Sequence, residues 1–570
     1  MKREYNKGGL SMKTLTKRII ALLLVAAAFC GLLSGCGSPK DSTITLTVFS
    51  ELANYSGEQV GWIAKMLKEK FNVVLNIIPS TDGVYETRME SGNLGDIVVW
   101  GSDGENYTRA IQAGLLYDWN EDDLVKEHGP YIYENMQPAM KKNAAISQSV
   151  TGKPTVYGFG HNVAGSNGDH ASFFYTWDLR WDLYKELGYP QVNDLDDLVQ
   201  VLADMKALCP TDENGNETYG VSLWPDWDGD MVMYVKAMAT AYYGYDEHGL
   251  GLYDPTTGTY HDALEQDGPY LTCLKFFNKL YQQDLVDPNS MTQTYEIMYD
   301  KVQAGGVFFS IFNYSGSLGY NSDEHKADNK MMCSLVPNEG HPIVYAMSDE
   351  GSNRIWSIGS NTEHPEKCME IINWLCTPEG VMTYFYGPKD LCWYYDEQGY
   401  THWTDFGQKV YFDRSTQMTG DYAGTGDFNS GCLQINNTTW SQDATNTDSN
   451  GERFNYLYWK SYQAAPSCEV EKDWRDHFGV SSVEEYMQST NYTVCNEYSF
   501  PAKADDFKTT WSSVTDIIVT YSWRALYANS DAEFDKIVSD MIQQANSYGY
   551  QDCVQWSVDQ AALRHQADQQ

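Results

Sequence analysis

The stretch SLWPDWDGD, residues 222–230, sets Trp224 and Trp227 beside Asp226 and Asp228. An indole face packs against the C–H face of a sugar ring, and a carboxylate accepts hydrogen bonds from the ring hydroxyls. Pro225 disfavours regular structure, so the segment is expected to be a loop that exposes both indoles. The competing expectation is a loop that caps a core. A second set of such residues follows two apolar runs. TITLTVFS ends just before Glu51, and GDIVVWGS carries Trp100 and leads into Asp103. Strands of an open α/β sheet place the residues that follow them in one crevice, so Glu51, Trp100 and Asp103 are expected together there. Core packing of Trp100 and solvation of the two acids are the plainer alternatives.

These residues need elements to position them. TITLTVFS alternates and is rich in β-branched residues, as a strand should be. GEQVGWIAKMLKEKF spaces Val60, Ile63, Ala64, Leu67 and Phe71 for one helix face, and NVVLNIIP reads as the next strand. With the short helix VYETRMESGNL and the strand in GDIVVWGS, the chain opens as an α/β unit with a largely parallel sheet. A second series starts near TVYGFGHN: ASFFYTW is strand-like, DLRWDLYKELG is helix-like, and DLDDLVQVLADMKAL begins on the aspartates that helix starts favour. Between Lys389 and Val470 the sequence has weak periodicity and many Tyr, Trp, Asn, Thr, Asp and Gly residues, and reads as long irregular surface structure.

The N-terminus has its own logic. Lys13, Lys17 and Arg18 precede an apolar run from Ile19 to Leu33, which is shorter than the roughly 20 residues needed to span a bilayer. Leu33-Ser34-Gly35-Cys36 resembles the lipobox of bacterial lipoproteins, which implies cleavage before Cys36 and lipidation of its thiol. Removing Met1 to Gly35 takes away six basic residues and one acidic one, moving the net charge from −39 to −44. So acidic a chain is poorly suited to nucleic acid or anionic lipid. Ten cysteines remain after Cys30 and Cys36, with no C-x-x-C pair, and are expected as disulfides or buried thiols. H-E-x-x-H, G-x-S-x-G and G-x-x-x-x-G-K-[ST] are missing from the sequence, so the commonest zincin, hydrolase-elbow and nucleotide signals are lacking.

SGNLGDIVVW, AIQAGLLYDWNEDD, GKPTVYGFG, RWDLYKELGYPQVNDLDDLVQVLADMKA, KFFNKLYQQDLVDP, NTEHPEKCMEIINWLCTPEG and WRALYANSDAEFDKIVSDMIQQANSYGYQ occur in an order that resembles family 1 extracellular solute-binding proteins, the lipid-anchored capture components of ABC importers. The resemblance implies an α/β, two-lobed periplasmic-binding-protein-like fold with a ligand cleft between the lobes. It places one lobe at 44–160 and 351–395 and the other at 161–350, with 396–570 packing on both, after a signal (1–35) and a tether (36–43). It also implies a monomer on the outer face of the cell membrane, an ABC permease as partner, a sugar or oligosaccharide as ligand, and no cofactor, metal or catalytic group. GGVFFSIFNYSG resembles the strand that enters the cleft from the second lobe, with Phe309, Asn313 and Tyr314 as its contact set. NRIWSIG precedes the Pro-Glu-Lys helix, placing Arg354 and Trp356 near the hinge, and His161 and Asn162 fall on the first crossover. TDENGNETYG is similar to a calcium loop of some relatives, but Glu217 comes early and a tight polar turn fits better. A surface-anchored glycoside hydrolase and a binding protein for peptides or other solutes remain the alternative readings.

Overall fold

The computed structural model describes residues 43–569, apart from 82, 166–169, 499 and 502. Cys36, the signal segment and nearly all of the tether lie outside the described residues.

The alternating run at the start forms a strand, Ile44–Ser50, whose Leu46 and Val48 are fully buried. It pairs in parallel with Val73–Pro79 on one side and with Ile97–Val99 on the other. The helix between the first two, Gly61–Phe71, buries Trp62, Ile63 and Leu67 and ends at Asn72, whose left-handed backbone (φ 56°) closes it. Two strands then join antiparallel: Ile355–Ile358 lies beside Ile97–Val99, and Gly158–Gly160 completes that edge. The sheet has six strands, parallel in its centre and mixed at its edges. The chain therefore leaves this sheet and returns to it after nearly 200 residues, as a two-lobed fold requires.

The second sheet departs from the parallel pattern. Tyr175–Arg180 sits between Phe309–Phe312 and Met332–Ser334, antiparallel to both. Helices cover it, among them Leu195–Leu208, Met233–Tyr243 and Pro269–Gln282. The first of these is capped by Asp194, whose carboxylate accepts from the backbone N–H groups of Asp196 and Asp197.

Each sheet has its own apolar core. The first gathers Leu46, Val48, Trp62, Phe159, Trp356 and the helix Pro365–Cys376, together with Trp393, Phe428, Ile435, Trp440, Phe454 and Trp459. The second gathers residues from Phe173 to Val344 and then from Val470 to Cys553, including the long helices Asp505–Leu526 and Asp531–Ser547. The stretch from Lys389 to Val470 is thus irregular in conformation but not a surface feature. Trp62 stacks on Phe428 at 5.7 Å and donates its indole N–H to the Phe428 carbonyl at 3.0 Å, so the irregular chain fills out the first core. Periodicity could not reveal this, because aromatic residues held by tertiary contacts need no repeating spacing.

The ten cysteines in the described residues are all free thiols. No helix of the described residues is long and apolar enough to cross a membrane.

Candidate functional site

The chain passes between the two cores after Val163, after Val344 and after Trp459, and the first two passages are tied to each other and to the loop at 436–455 of the first core. Ser172 donates through its backbone N–H and its hydroxyl to the two carboxylate oxygens of Asp443, at 2.7 and 2.6 Å. The His161 N–H donates to the Arg354 carbonyl at 2.9 Å, and the Arg354 N–H to Nδ1 of His161 at 3.3 Å. Gly160 and Gly351 permit this approach: a β-carbon at Gly160 would lie 1.9 Å from the Ser352 carbonyl oxygen.

The wall on the first-sheet side is built around the loop from Gln434 to Trp440. Ser50 donates its hydroxyl to the Ile435 carbonyl (2.9 Å), Asn436 donates its amide to the Leu52 carbonyl (2.9 Å), and Trp356 donates its indole N–H to the Thr438 carbonyl (2.6 Å). Thr438 donates its hydroxyl to the Asn162 side-chain carbonyl at 2.6 Å. His161, Asn162, Arg354 and Trp356 are therefore brought to one place. Asn436, Asn437, Thr438 and Tyr384 join them, and sequence reasoning missed these. His161 is buried, and burial first, then the charges of Arg354 and Lys142, hold its imidazole down to about 4, so the ring is neutral at physiological pH.

Several expected contacts are structural instead. Trp100 has no exposed surface; it packs edge-on against Tyr85 and Tyr107 and donates its indole N–H to the Ser357 hydroxyl at 3.2 Å. Glu51 is engaged as a clamp, accepting from the Gly101 N–H at 2.8 Å and from the Asn106 amide at 2.7 Å, and so fixes the loop after Ile97–Val99. Asp103, half-buried on that loop, makes no hydrogen bond or ion pair among the described residues. Trp356 is 1 % exposed, so it shapes the wall from within rather than presenting a free face.

On the second-sheet side the WPDWDGD segment splits by residue. Trp224 is fully buried, packed edge-on against Trp227, Tyr234 and Tyr295, and belongs to the core. Trp227 is 49 % exposed and lies on Tyr295 at 4.7 Å with the rings 26° apart. Asp228 is not a free ligand group. It caps the helix Met233–Tyr243 by accepting from the Met233 N–H (2.8 Å), and accepts the Trp523 indole N–H (2.6 Å). Burial pushes its carboxyl above the ordinary range. Phe309 is 3 % exposed and packs on Trp177, so it too is core. Asn313 donates its backbone N–H to the Phe174 carbonyl, and Tyr314 lies within 6.0 Å of Trp227, 5.5 Å of Phe174 and 5.1 Å of Phe312.

The result is an aromatic platform of Trp227, Tyr295, Tyr314 and Phe174, the last 42 % exposed. The rings are tilted against one another by 26 to 53° and hold each other in place, so their open faces lose little entropy on contact with a ligand. Phe174 was hidden in a run read only as a strand, and Tyr295 had no signal besides its aromatic type. The 212–217 loop is a tight turn in which Asp212 accepts from the N–H groups of Asn214 and Asn216, while Glu217 pairs with Lys206 at 2.9 Å. Among the described residues no three His, Cys, Asp or Glu side chains are placed to hold a metal ion.

No family model matches the chain. It is 26 % identical over 319 residues to the lipoprotein LipO of Bacillus subtilis (strain 168), which covers 52 % of this chain and 53 % of the relative. The chain thus spans about half the length of that relative. Among solved structures, an extracellular solute-binding protein from Bifidobacterium longum subsp. infantis superposes with a TM-score of 0.55 at 13 % identity, covering 92 % of this chain and 99 % of the other. The N-glycan transport solute binding protein of Streptococcus pneumoniae gives 0.52 at 16 % identity, with the same coverage of each. The fold is that of the extracellular solute-binding proteins, and the two lobes expected from the sequence are its two cores.

Proposed function

We propose that the chain is the capture component of an ABC importer, held at the outer face of the cell membrane through a lipid on Cys36, and that it binds a sugar or oligosaccharide between its lobes and passes it to a permease. The observation that carries this reading is the half-exposed indole of Trp227, stacked on Tyr295 and flanked by Tyr314 and Phe174. Flat rings held rigid and open to solvent suit the C–H faces of pyranose or furanose rings. The likeness in fold to sugar-transport binding proteins supports the reading, as does the lipoprotein relative. On this account the chain is a monomer, binds no nucleic acid, needs no cofactor and performs no chemistry. The carboxylates nearest the platform agree with the last point: Asp226 accepts from the Tyr295 N–H, and Asp228 caps a helix.

Thermal unfolding of the protein in a panel of oligosaccharides and peptides tests it. A ligand at 100 times its Kd stabilises the folded state by about 2.7 kcal/mol. At least one saccharide is expected to raise the melting temperature and to be recovered intact by mass spectrometry. Stabilisation by peptides alone, or release of shorter saccharides, would move the reading to one of the alternatives.

A further inference from the structure

The aromatic platform contains two stacked pairs of rings, and the pairs are turned against each other. Trp227 lies on Tyr295 at 4.7 Å with 26° between the planes, and Tyr314 lies on Phe312 at 5.1 Å with the same angle. Tyr295 thus backs one face of the half-exposed indole, and the buried Phe312 backs one face of Tyr314. The two backed rings, Trp227 and Tyr314, stand 6.0 Å apart with 51° between their planes. Phe174, itself open to solvent, comes next, 5.5 Å from Tyr314 and turned from it by 34°. Trp227, Tyr314 and Phe174 therefore form a row in which each ring is turned from the one before. The Tyr314 hydroxyl makes no hydrogen bond among the described residues, and burial pushes its phenol up, so it stays protonated and free to donate.

A sugar ring that stacks on an aromatic face lies nearly parallel to it, because its axial C–H bonds point into the π-system. Neighbouring sugars held on neighbouring rings of this row must then be turned against each other by about the angle between those rings. Glucose or mannose chains linked β-1,4 are joined through equatorial bonds at both ends and run as flat ribbons. An axial bond at the linkage, or a 1,3-linkage, turns each sugar from the last. Coplanar rings would suit the ribbon, and these are not coplanar. Trp227 and Tyr314 cannot level out without leaving the rings that back them, so a flat chain loses contact with at least one ring.

Resting on the saccharide reading above, we propose that Trp227, Tyr314 and Phe174 are three consecutive subsites for a glycan chain whose successive rings are turned, and that their tilts select such chains over flat β-1,4-linked ribbons. The Tyr314 hydroxyl donates to an oxygen of the sugar in the middle subsite. Phe174 holds the third sugar, so it decides the gain from chain length, whereas the angle between Trp227 and Tyr314 decides the linkage.

The test is calorimetric titration into the full chain, purified in a detergent without a sugar head group, with ligands matched in composition and length. Cello-oligosaccharides are set against malto- and laminari-oligosaccharides, and β-1,4-linked manno-oligosaccharides against α-1,2- and α-1,3-linked ones. Fructo-oligosaccharides, which have no flat counterpart, are read by length alone. Within whichever set binds, turned chains are expected to be held roughly two- to tenfold more tightly than flat ones, the worth of one ring contact, and trisaccharides more tightly than disaccharides by a similar factor. Phe174→Ala should remove the gain from disaccharide to trisaccharide, and Phe174→Tyr, which keeps the ring, should retain it. The linkage comparison is made on the wild type and needs no variant to fold. Flat chains held as tightly as turned ones, affinity that does not rise with length, or a gain that survives Phe174→Ala would overturn the proposal while leaving the saccharide reading in place. Binding of no saccharide would overturn both.

Discussion

Residue type proved a poor guide to exposure. Trp224 and Trp227 are three apart in one loop, yet one is sealed in the core and the other is half open. The difference is visible only once Tyr234 and Tyr295 are in place around the first ring. Trp224→Ala should therefore act on folding, with a loss of about 3 to 5 kcal/mol in denaturant unfolding of the unliganded protein. A loss below about 1 kcal/mol would show that the site relaxes around the missing ring. His161 gives a pH prediction of defined sign. Its folded value is lowered from 6.5 to about 4, so its contribution to stability is complete above about pH 6.5. It is lost as the pH falls from there through about 4, because the unfolded chain takes up a proton that the buried ring refuses. In His161→Gln the loss of stability across that window should be shallower than in the wild type, measured by unfolding at a series of pH values. Parallel curves would contradict the assignment.

At the scale of elements, the opening strands and helices were legible because alternation and helical spacing are local properties of the chain. Ile44–Ser50 and Gly61–Phe71 form where their apolar residues recur. The loop from Gln434 to Trp440 was not legible. Its defining contacts join residues hundreds of positions apart, such as Asn436 with Leu52 and Ile435 with Ser50, and no spacing rule encodes them. Glu51, expected as a cleft acid, instead holds its neighbouring loop through the Gly101 N–H and the Asn106 amide. The crossover strands carry a sharper element-scale prediction. A methyl group at Gly160 would collide with the Ser352 backbone oxygen, which cannot swing aside as a side chain would. Gly160→Ala should cost roughly 1 to 3 kcal/mol in unfolding experiments, as overpacking does. Wild-type stability in that variant would mean that the crossover strands are free to part.

The whole molecule joins two separately packed lobes by three passages of chain, of which the first two are bonded to each other through His161, Ala164 and Ala171. The lobes were readable from chain length and from the order of family-like segments; the share of the first core supplied by residues after Lys389 was not, because that stretch folds through aromatic packing without a repeat. Cys36→Ala should leave the protein unlipidated and shed from membranes, as read by labelling with a fatty-acid analogue, and undiminished labelling would end the anchor proposal. The central claim is that the lobes grip a saccharide against the open indole of Trp227. Calorimetric titration of the best-stabilising oligosaccharide into wild type and Trp227→Ala tests this most directly. Removing a contact hot spot costs at least about 2 kcal/mol, so the account predicts that affinity falls by roughly thirtyfold or more while the unliganded melting temperature barely moves. Wild-type affinity in Trp227→Ala would contradict it.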